Sequence, residues 1–296
     1  MTPRFIRRAR EATLGYLLIL PAVAAFGLFV FYPLVKTAYL GFFLAPPFPN
    51  LPAHYVGFHQ YGQVLGSSDF RDSLGRTVLF VLFTVPLGII LGLALANLAQ
   101  KKLPGIRVFR TIYSSTIATS VAVASVVFFT LLNPEVGLLN YAFGQEGGNG
   151  FLANPHWALP AVAVVTIWQN IGFTFILMSA GLQSLPEDVL EASKVDGASG
   201  WVRFGRITLP LLSPILFFAA VVGVISGFQA FGQIDLLTQG GPNNATQVLI
   251  YDLYRQAFVY NNPGYAAVLS IALFVILMLL TFLQFWFFQR RVSYAD

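Results

Sequence analysis

Six stretches of this chain are long enough to cross a bilayer without placing a charge at their centre, and no other feature restricts its possible folds as strongly. They cover residues 13–35, 77–98, 112–132, 157–182, 211–234 and 265–288, with no Asp, Glu, Lys, Arg or His in the middle of any. In hydrocarbon, every backbone N–H and C=O must find a partner within the protein, which leaves helices or a closed barrel. Uninterrupted apolar runs of about 20 residues match the helix length that spans the core. The chain carries 10% charged residues, where soluble domains carry roughly 25%. The expected fold class is all-α, a polytopic membrane protein with six transmembrane helices. The basic start and the small residues at 22–25 have the look of a secretory signal. The apolar run, however, continues through Phe26 and Phe29 to Tyr32, too long for such a segment.

Basic residues give the orientation. Lys and Arg concentrate on the cytoplasmic side of membrane proteins. The N-terminus holds Arg4, Arg7, Arg8 and Arg10, and the loop after the second run holds Lys101, Lys102, Arg107 and Arg110. Residues 184–210 hold Lys194, Arg203 and Arg206, and the C-terminus ends with Arg290 and Arg291. These segments contain thirteen of the 17 basic residues. Both termini are therefore expected in the cytoplasm. The organisation expected is a cytoplasmic tail at 1–12, a transmembrane domain at 13–289 and a cytoplasmic tail at 290–296. The opposite side receives the loops at 40–72, where 56–72 reads as a surface helix, at 133–155, with GQEGGNG at its middle, and at 236–263. In the last of these, TQGGPNNAT is turn chemistry, with Gly and Asn where φ > 0 is required.

The net charge of +5 lies beside apolar runs, so nucleic acid is not an expected partner. No cysteine is present, and no metal-ligand set, glycine-rich nucleotide loop or nucleophile–base grouping appears. His54, His59 and His156 are scattered over loops. No catalytic, cofactor or metal site is expected in this chain. Ion-coupled carriers place ionisable groups inside the membrane; with none at the centre of these runs, energy for any transport is expected to come from elsewhere.

Two places carry candidate function. The first is 184–210, the longest polar helical stretch in the chain. Ser184 and Glu187 have the spacing of a capping box, Pro186 suits a first turn, and acids precede bases along the helix dipole. Gly197 interrupts it, giving a helix, a bend and a second short helix: either a plain connector or a rigid knob for a partner. The second place is the polar groups in apolar runs: Gln169, Asn170 and nearby Phe173 in the fourth, Ser226 and Gln229 in the fifth. A buried amide without a partner costs roughly 2–7 kcal/mol by transfer scales. Either a polyhydroxyl solute or a neighbouring helix satisfies it. The Ser and Thr residues at 114–120 read as helix-packing or back-bonding groups, with a pore-lining role as the alternative.

The sequence EASKVDGASGWVRFGRITLP at 191–210 resembles the EAA loop of inner-membrane permease subunits of bacterial ABC importers. The pattern falls on Glu191, Ala192, Ser193, Asp196, Gly197, Ala198, Ile207, Leu209 and Pro210, with Ser193 where alanine is usual. LQSLP at 182–186, TQGGPNNAT at 238–246, YDLYRQAF at 251–258 and Gly264-Tyr265-Ala266 resemble the carbohydrate-importer branch, of the MalF-like and UgpA-like type. The likeness runs from about Gly57 to Ser293. It implies a permease subunit moving a sugar or oligosaccharide across the bacterial plasma membrane, or alternatively glycerol 3-phosphate or a phosphodiester. A non-ABC channel or a membrane scaffold is the reading from another class. The resemblance also implies a second homologous permease, two cytoplasmic ATPase subunits that carry ATP-Mg, and a periplasmic or lipid-anchored binding protein. Residues Glu187, Glu191, Ala192, Asp196, Gly197 and Ala198 would then couple to the ATPase. Arg203 and Arg206 would either touch it or hold the loop at the headgroups. Gln169, Asn170, Phe173, Ser226 and Gln229 would line the substrate pathway.

Overall fold

A computed structural model describes residues 4–44, 53–101, 103–144 and 150–288. Lys102, the loop centre at 145–149, Arg290, Arg291 and the tail at 290–296 lie outside the described residues, as do the side chains of Arg4, Arg7, Arg8 and Arg10. Among the described residues the regular structure is helical except for one ladder, Phe43–Leu44 (β1) paired antiparallel with His54–Tyr55 (β2). The chain divides into two compact units, Met1–Ser67 with Leu253–Ala272, and Ser68–Asp252 with Leu273–Asp296.

In the first unit, α1 (Arg4–Phe26) passes through a π turn at Gly27–Phe31 into α2 (Tyr32–Leu40). Residues Gly15–Leu40 form one candidate span whose large apolar side chains are exposed, as lipid-facing residues must be. The short α3 (His59–Gly66) is tied to the end of α2: the Tyr61 hydroxyl donates to Ala38 O at 2.9 Å, and burial pushes that hydroxyl's pKa up. The surface helix expected over 56–72 does not continue to its end. Ser67 is extended at φ −69°, ψ 153°, and closes α3 at Gly66.

The second unit is built on α4 (Ser68–Ala99), α8 (Pro155–Gln183) and α12 (Ser213–Phe228). Helices in lipid gain little from burying apolar surface, so they associate through small residues that let backbones approach. That is the pattern here. A Cβ on Gly92 would come within 2.5 Å of Thr174, one on Gly181 within 2.5 Å of Ile215, and one on Gly227 within 2.8 Å of Val81. Around these contacts Leu93, Ala96, Phe175, Met178 and Leu212 form a buried core.

Two of the expected spans are not single helices. Residues 112–132 divide between α5 (Ile106–Ser115), extended by a 3-10 turn at Thr116–Ala118, and α6 (Val121–Leu131), with a 106° bend between them. Ser120 causes the break: it is extended, and its hydroxyl accepts the Val123 N–H at 3.2 Å as an N-cap. Two of the other hydroxyls bond back to the chain, Ser115 to Ile112 O and Thr116 to Tyr113 O. Arg110 folds α5 back on α4, donating to Ala99 O at 3.1 and 2.5 Å and so satisfying a carbonyl at the end of α4. Residues 211–234 likewise break, α12 ending at Phe228 and α13 (Gly232–Leu237) beginning after three non-helical residues. The segment 200–211 ahead of α12 is bent from it by 67°.

The α5–α8 contact generates a test. A Cβ on Gly172 would overlap the Thr116 hydroxyl and lie 2.7 Å from Ile117 N and 2.9 Å from Tyr113 O. Backbone atoms cannot rotate away, so Gly172→Val is expected to lower stability by about 1–3 kcal/mol. Gly75→Ala, where a Cβ meets nothing within 4 Å, is expected to be neutral. Thermal unfolding in detergent checks both; equal midpoints for the two variants would contradict this packing.

Candidate functional site

The break between α12 and α13 opens onto a cavity of about 430 Å³ within the second unit. Non-helical backbone is tolerated at membrane depth where it lines such a space, and Gln229, Ala230, Phe231 and Gly232 all line this one. Helix α4 contributes Thr84, Val85, Gly88 and Ile89, and α8 contributes Thr166, Gln169, Asn170, Phe173 and Thr174. All five residues singled out in the sequence, Gln169, Asn170, Phe173, Ser226 and Gln229, stand on its wall. No lining residue is ionisable.

The amides are not equivalent. Gln233 Nε2 donates to Gln169 Oε1 at 2.7 Å, joining α13 to α8. Gln233 is only 7% exposed and Gln169 is half-buried, so this bond satisfies amides that have little access to water. Asn170 Nδ2 donates to Thr166 O one turn back, at 2.9 Å, while Asn170, Ser226 and Gln229 remain exposed to the cavity side of their helices. The hydroxyls of Thr84 and Thr166 are taken by Phe80 O and Val162 O. Sequence reasoning missed Gln233 and Phe231. Neither had a local signal: residues 229–231 are not helical, so Gln229 and Gln233 share no helical face.

The second candidate region forms the expected helix, bend and short helix: α9 (Glu187–Val195), then α10 (Gly200–Arg203), leading through a π turn at Phe204–Thr208 into the three-residue α11 (Leu209–Leu211). Ser184 does not cap α9. Its N–H donates to Ala180 O and Gly181 O and its hydroxyl to Gly181 O, so it closes α8. Pro186 occupies the N-cap position of α9, with no side-chain bond. At the other end Gly197 has φ +76°, its N–H donates to Lys194 O, and Ala198 N–H donates to Ser193 O. Those two bonds around a left-handed residue make a Schellman cap. Ser193 is buried, with its hydroxyl bonded to Leu190 O at 2.7 Å. Glu187, Glu191, Ala192 and Asp196 are exposed, and so, at 88% and 87%, are Val195 and Trp201. Those two apolar side chains on a polar knob escaped the sequence reading.

A polytopic helical fold with an uncharged internal cavity and an exposed, capped two-helix knob defines a membrane transport component. Residues 88–293 match the family described as binding-protein-dependent transport system inner membrane component. The chain is 35% identical over 287 residues to the sn-glycerol-3-phosphate transport system permease protein UgpA of Rhizobium meliloti (strain 1021), covering 95% of this chain and 97% of that one. It is 32% identical over 283 residues to the protein of that name from Yersinia pestis, covering 95% and 96%. Its fold is similar to a chain of a bacterial ABC transporter involved in the import of the acidic polysaccharide alginate, with a TM-score of 0.81 and 22% identity, covering 98% of this chain and 100% of that chain. A chain of a bacterial alginate ABC transporter in complex with an alginate pentasaccharide-bound periplasmic protein gives a TM-score of 0.83 at 21% identity, covering 99% of this chain and 100% of that chain. The chain belongs to the family of binding-protein-dependent transport system inner membrane components. It is a multi-pass inner-membrane permease subunit and not an enzyme.

The Gln169–Gln233 bond predicts a non-additive pair. Gln169→Leu leaves a buried Gln233 amide without its partner and is expected to cost about 1–3 kcal/mol. Replacing both residues by Leu removes the orphan and is expected to recover part of that loss. Detergent unfolding of the single and double variants decides it; strictly additive losses would mean that the two amides do not depend on each other.

Proposed function

We propose that this chain is the permease subunit of an ATP-driven ABC importer that moves a sugar or oligosaccharide across the bacterial plasma membrane. The observation that carries the reading is the cavity: amides, hydroxyls and two aromatic rings with no charge on the wall. Amides exchange hydrogen bonds with sugar hydroxyls, and ring faces pack on apolar sugar faces. A phosphate would call for a cation or a helix N-terminus. A second reading, import of glycerol 3-phosphate or a phosphodiester, rests on the name and the 35% identity of the UgpA relatives. It requires the cation to come from another subunit.

The solute would reach the cavity from a periplasmic or lipid-anchored binding protein. A second, homologous permease would complete the pathway. Two cytoplasmic ATPase subunits, holding ATP-Mg, would grip the knob at 184–210. A rigid knob suits that work: the Schellman cap fixes the angle between α9 and α10, and Val195 and Trp201 offer apolar surface to a groove. Closure of the ATPases would then move α12 through the bent segment at 200–211.

Uptake into proteoliposomes holding the whole complex tests this reading, with a neutral disaccharide and sn-glycerol 3-phosphate offered separately. Asn170→Ala and Gln229→Ala are expected to reduce solute-stimulated transport by about five- to 150-fold, the equivalent of roughly 1–3 kcal/mol, while basal ATP hydrolysis persists. Gly197→Leu is expected to abolish both uptake and binding-protein-stimulated hydrolysis at normal protein level. A Cβ there meets nothing within 4 Å among the described residues, so the loss would come from the positive φ or from the docked partner. Gly197→Ala separates the two, since it keeps the φ penalty of about 1–2 kcal/mol without bulk. Wild-type uptake in the Leu variant would reduce the knob to a connector.

The orientation, with both termini and the knob in the cytoplasm, is open to cysteine labelling because the chain has no native cysteine. Asp188→Cys is expected to react with an impermeant maleimide only in inverted vesicles, and His54→Cys only from the outside of intact cells. The reverse pattern would invert the topology.

A further inference from the structure

We infer that Tyr251, which lies off the cavity wall, is a positioning residue for solute recognition. Its ring stacks on Phe231, with centroids 5.9 Å apart and planes 25° apart, and Phe231 is one of the two aromatic residues on the wall. The inference rests on the permease reading and adds to it a control over the wall from outside the cavity.

Phe231 needs such a support. It stands where the break meets α13: its N–H donates to Gln229 O at 2.9 Å, and as the N-cap residue its C=O accepts the Asp235 N–H at 2.9 Å. These bonds hold the backbone, and the setting of the ring falls to side chains that pack on its face. Tyr251, on the short helix α14 (Leu249–Tyr254), does so. Tyr251 is 5% exposed, and its own position is held from behind. A Cβ on Gly240 would come within 2.7 Å of Tyr251 Cε1, so the Gly240 backbone lies flat against that ring. Gly240 has φ +80° and is flanked by Gln239 at +50° and by Asn243 and Asn244 at +49° and +59°.

Four left-handed residues within six positions would be costly in a mobile loop, but this one is tied. The buried Thr246 hydroxyl donates to Gly241 O at 2.8 Å and lies 2.7 Å from the hydroxyl of Thr238. Thr238 is bonded in turn to Ile234 O of α13. The start of α14 is fixed separately: Leu249 N–H donates to the buried Thr77 hydroxyl of α4 at 2.8 Å. The loop at 238–246 thus packs on Tyr251, and Tyr251 stacks on Phe231, which lines the cavity. This gives the TQGGPNNAT stretch a role: its turn geometry brings the Gly240 backbone against the ring of Tyr251.

Two measurements on the intact complex test the inference. In the first, 4-fluorophenylalanine is placed at position 231 and its fluorine resonance recorded. The stacked ring is expected to give a resonance that moves on Tyr251→Leu and stays in place on Tyr251→Phe, which keeps the ring. A resonance unmoved by Tyr251→Leu overturns the inference. In the second, proteoliposome uptake is compared with basal ATP hydrolysis. Phe231→Leu and Tyr251→Leu are each expected to lower uptake of the ring-bearing solute by roughly two- to tenfold, the range of an aromatic pair. The double variant is expected to fall no further, and Tyr251→Phe to transport normally. Additive losses, or a loss in basal hydrolysis matching the loss in uptake, would make Tyr251 a purely structural residue and overturn the inference. If the wild-type complex moves neither a sugar nor glycerol 3-phosphate, the permease reading for those solutes fails, and the fluorine signal alone decides whether Tyr251 sets Phe231.

Discussion

The obligation to satisfy backbone hydrogen bonds without water governs this molecule. It makes every apolar run helical, and it also dictates where helices can stop. Each break carries its own compensation. Ser120 supplies a hydroxyl to the first turn of α6, Arg110 reaches back to a terminal carbonyl of α4, and Ser184 closes α8 with its own hydroxyl. The break at 229–231 keeps three-residue and two-residue turn bonds and opens onto the cavity. Irregular backbone is thus confined to places where polar partners are at hand, and one of those places is the candidate solute site.

The wall of the cavity is polar without being charged, a combination with consequences for mechanism. Ionisable groups in a membrane interior are costly and tie transport to protons or ions. Amides and hydroxyls bind a polyol through exchangeable hydrogen bonds and leave the driving force to be supplied elsewhere. The cross-helix bond between Gln169 and Gln233 keeps part of that polar surface satisfied in the absence of solute, while Asn170, Ser226 and Gln229 face the open side.

Small residues and a glycine cap serve the same end by different means. Gly92, Gly181 and Gly227 let α4, α8 and α12 approach closely enough to pack as one body around the cavity. Gly197 instead supplies a left-handed backbone, and nothing among the described residues crowds it. The first set holds the walls of the cavity together. The second sets the angle of an exposed knob whose Val195 and Trp201 find no cover among the described residues.

The sequence by itself determined the fold class, the approximate places of the membrane segments and the two regions of interest. Long uncharged runs, Asn and Gly at turns, and Gly197 between two short helices are local signals that hydrocarbon and backbone sterics make nearly obligatory. It also named five residues that share one cavity wall, because amides in apolar helices are rare enough to stand out. Tertiary structure decided the rest. Residues 112–132 look like one span by composition, yet Ser120 divides them, since capping competes with helix continuation and the packing of α5 on α8 favours the bend. Ser184 has the spacing of a cap for α9 and closes α8 instead, because its bonds run back to carbonyls that α8 leaves open. Gln233 and Phe231 join the site only because α12 stops at Phe228. Where a chain breaks, and which distant ring then backs the break, depends on partners far away in sequence, and no local pattern encodes them.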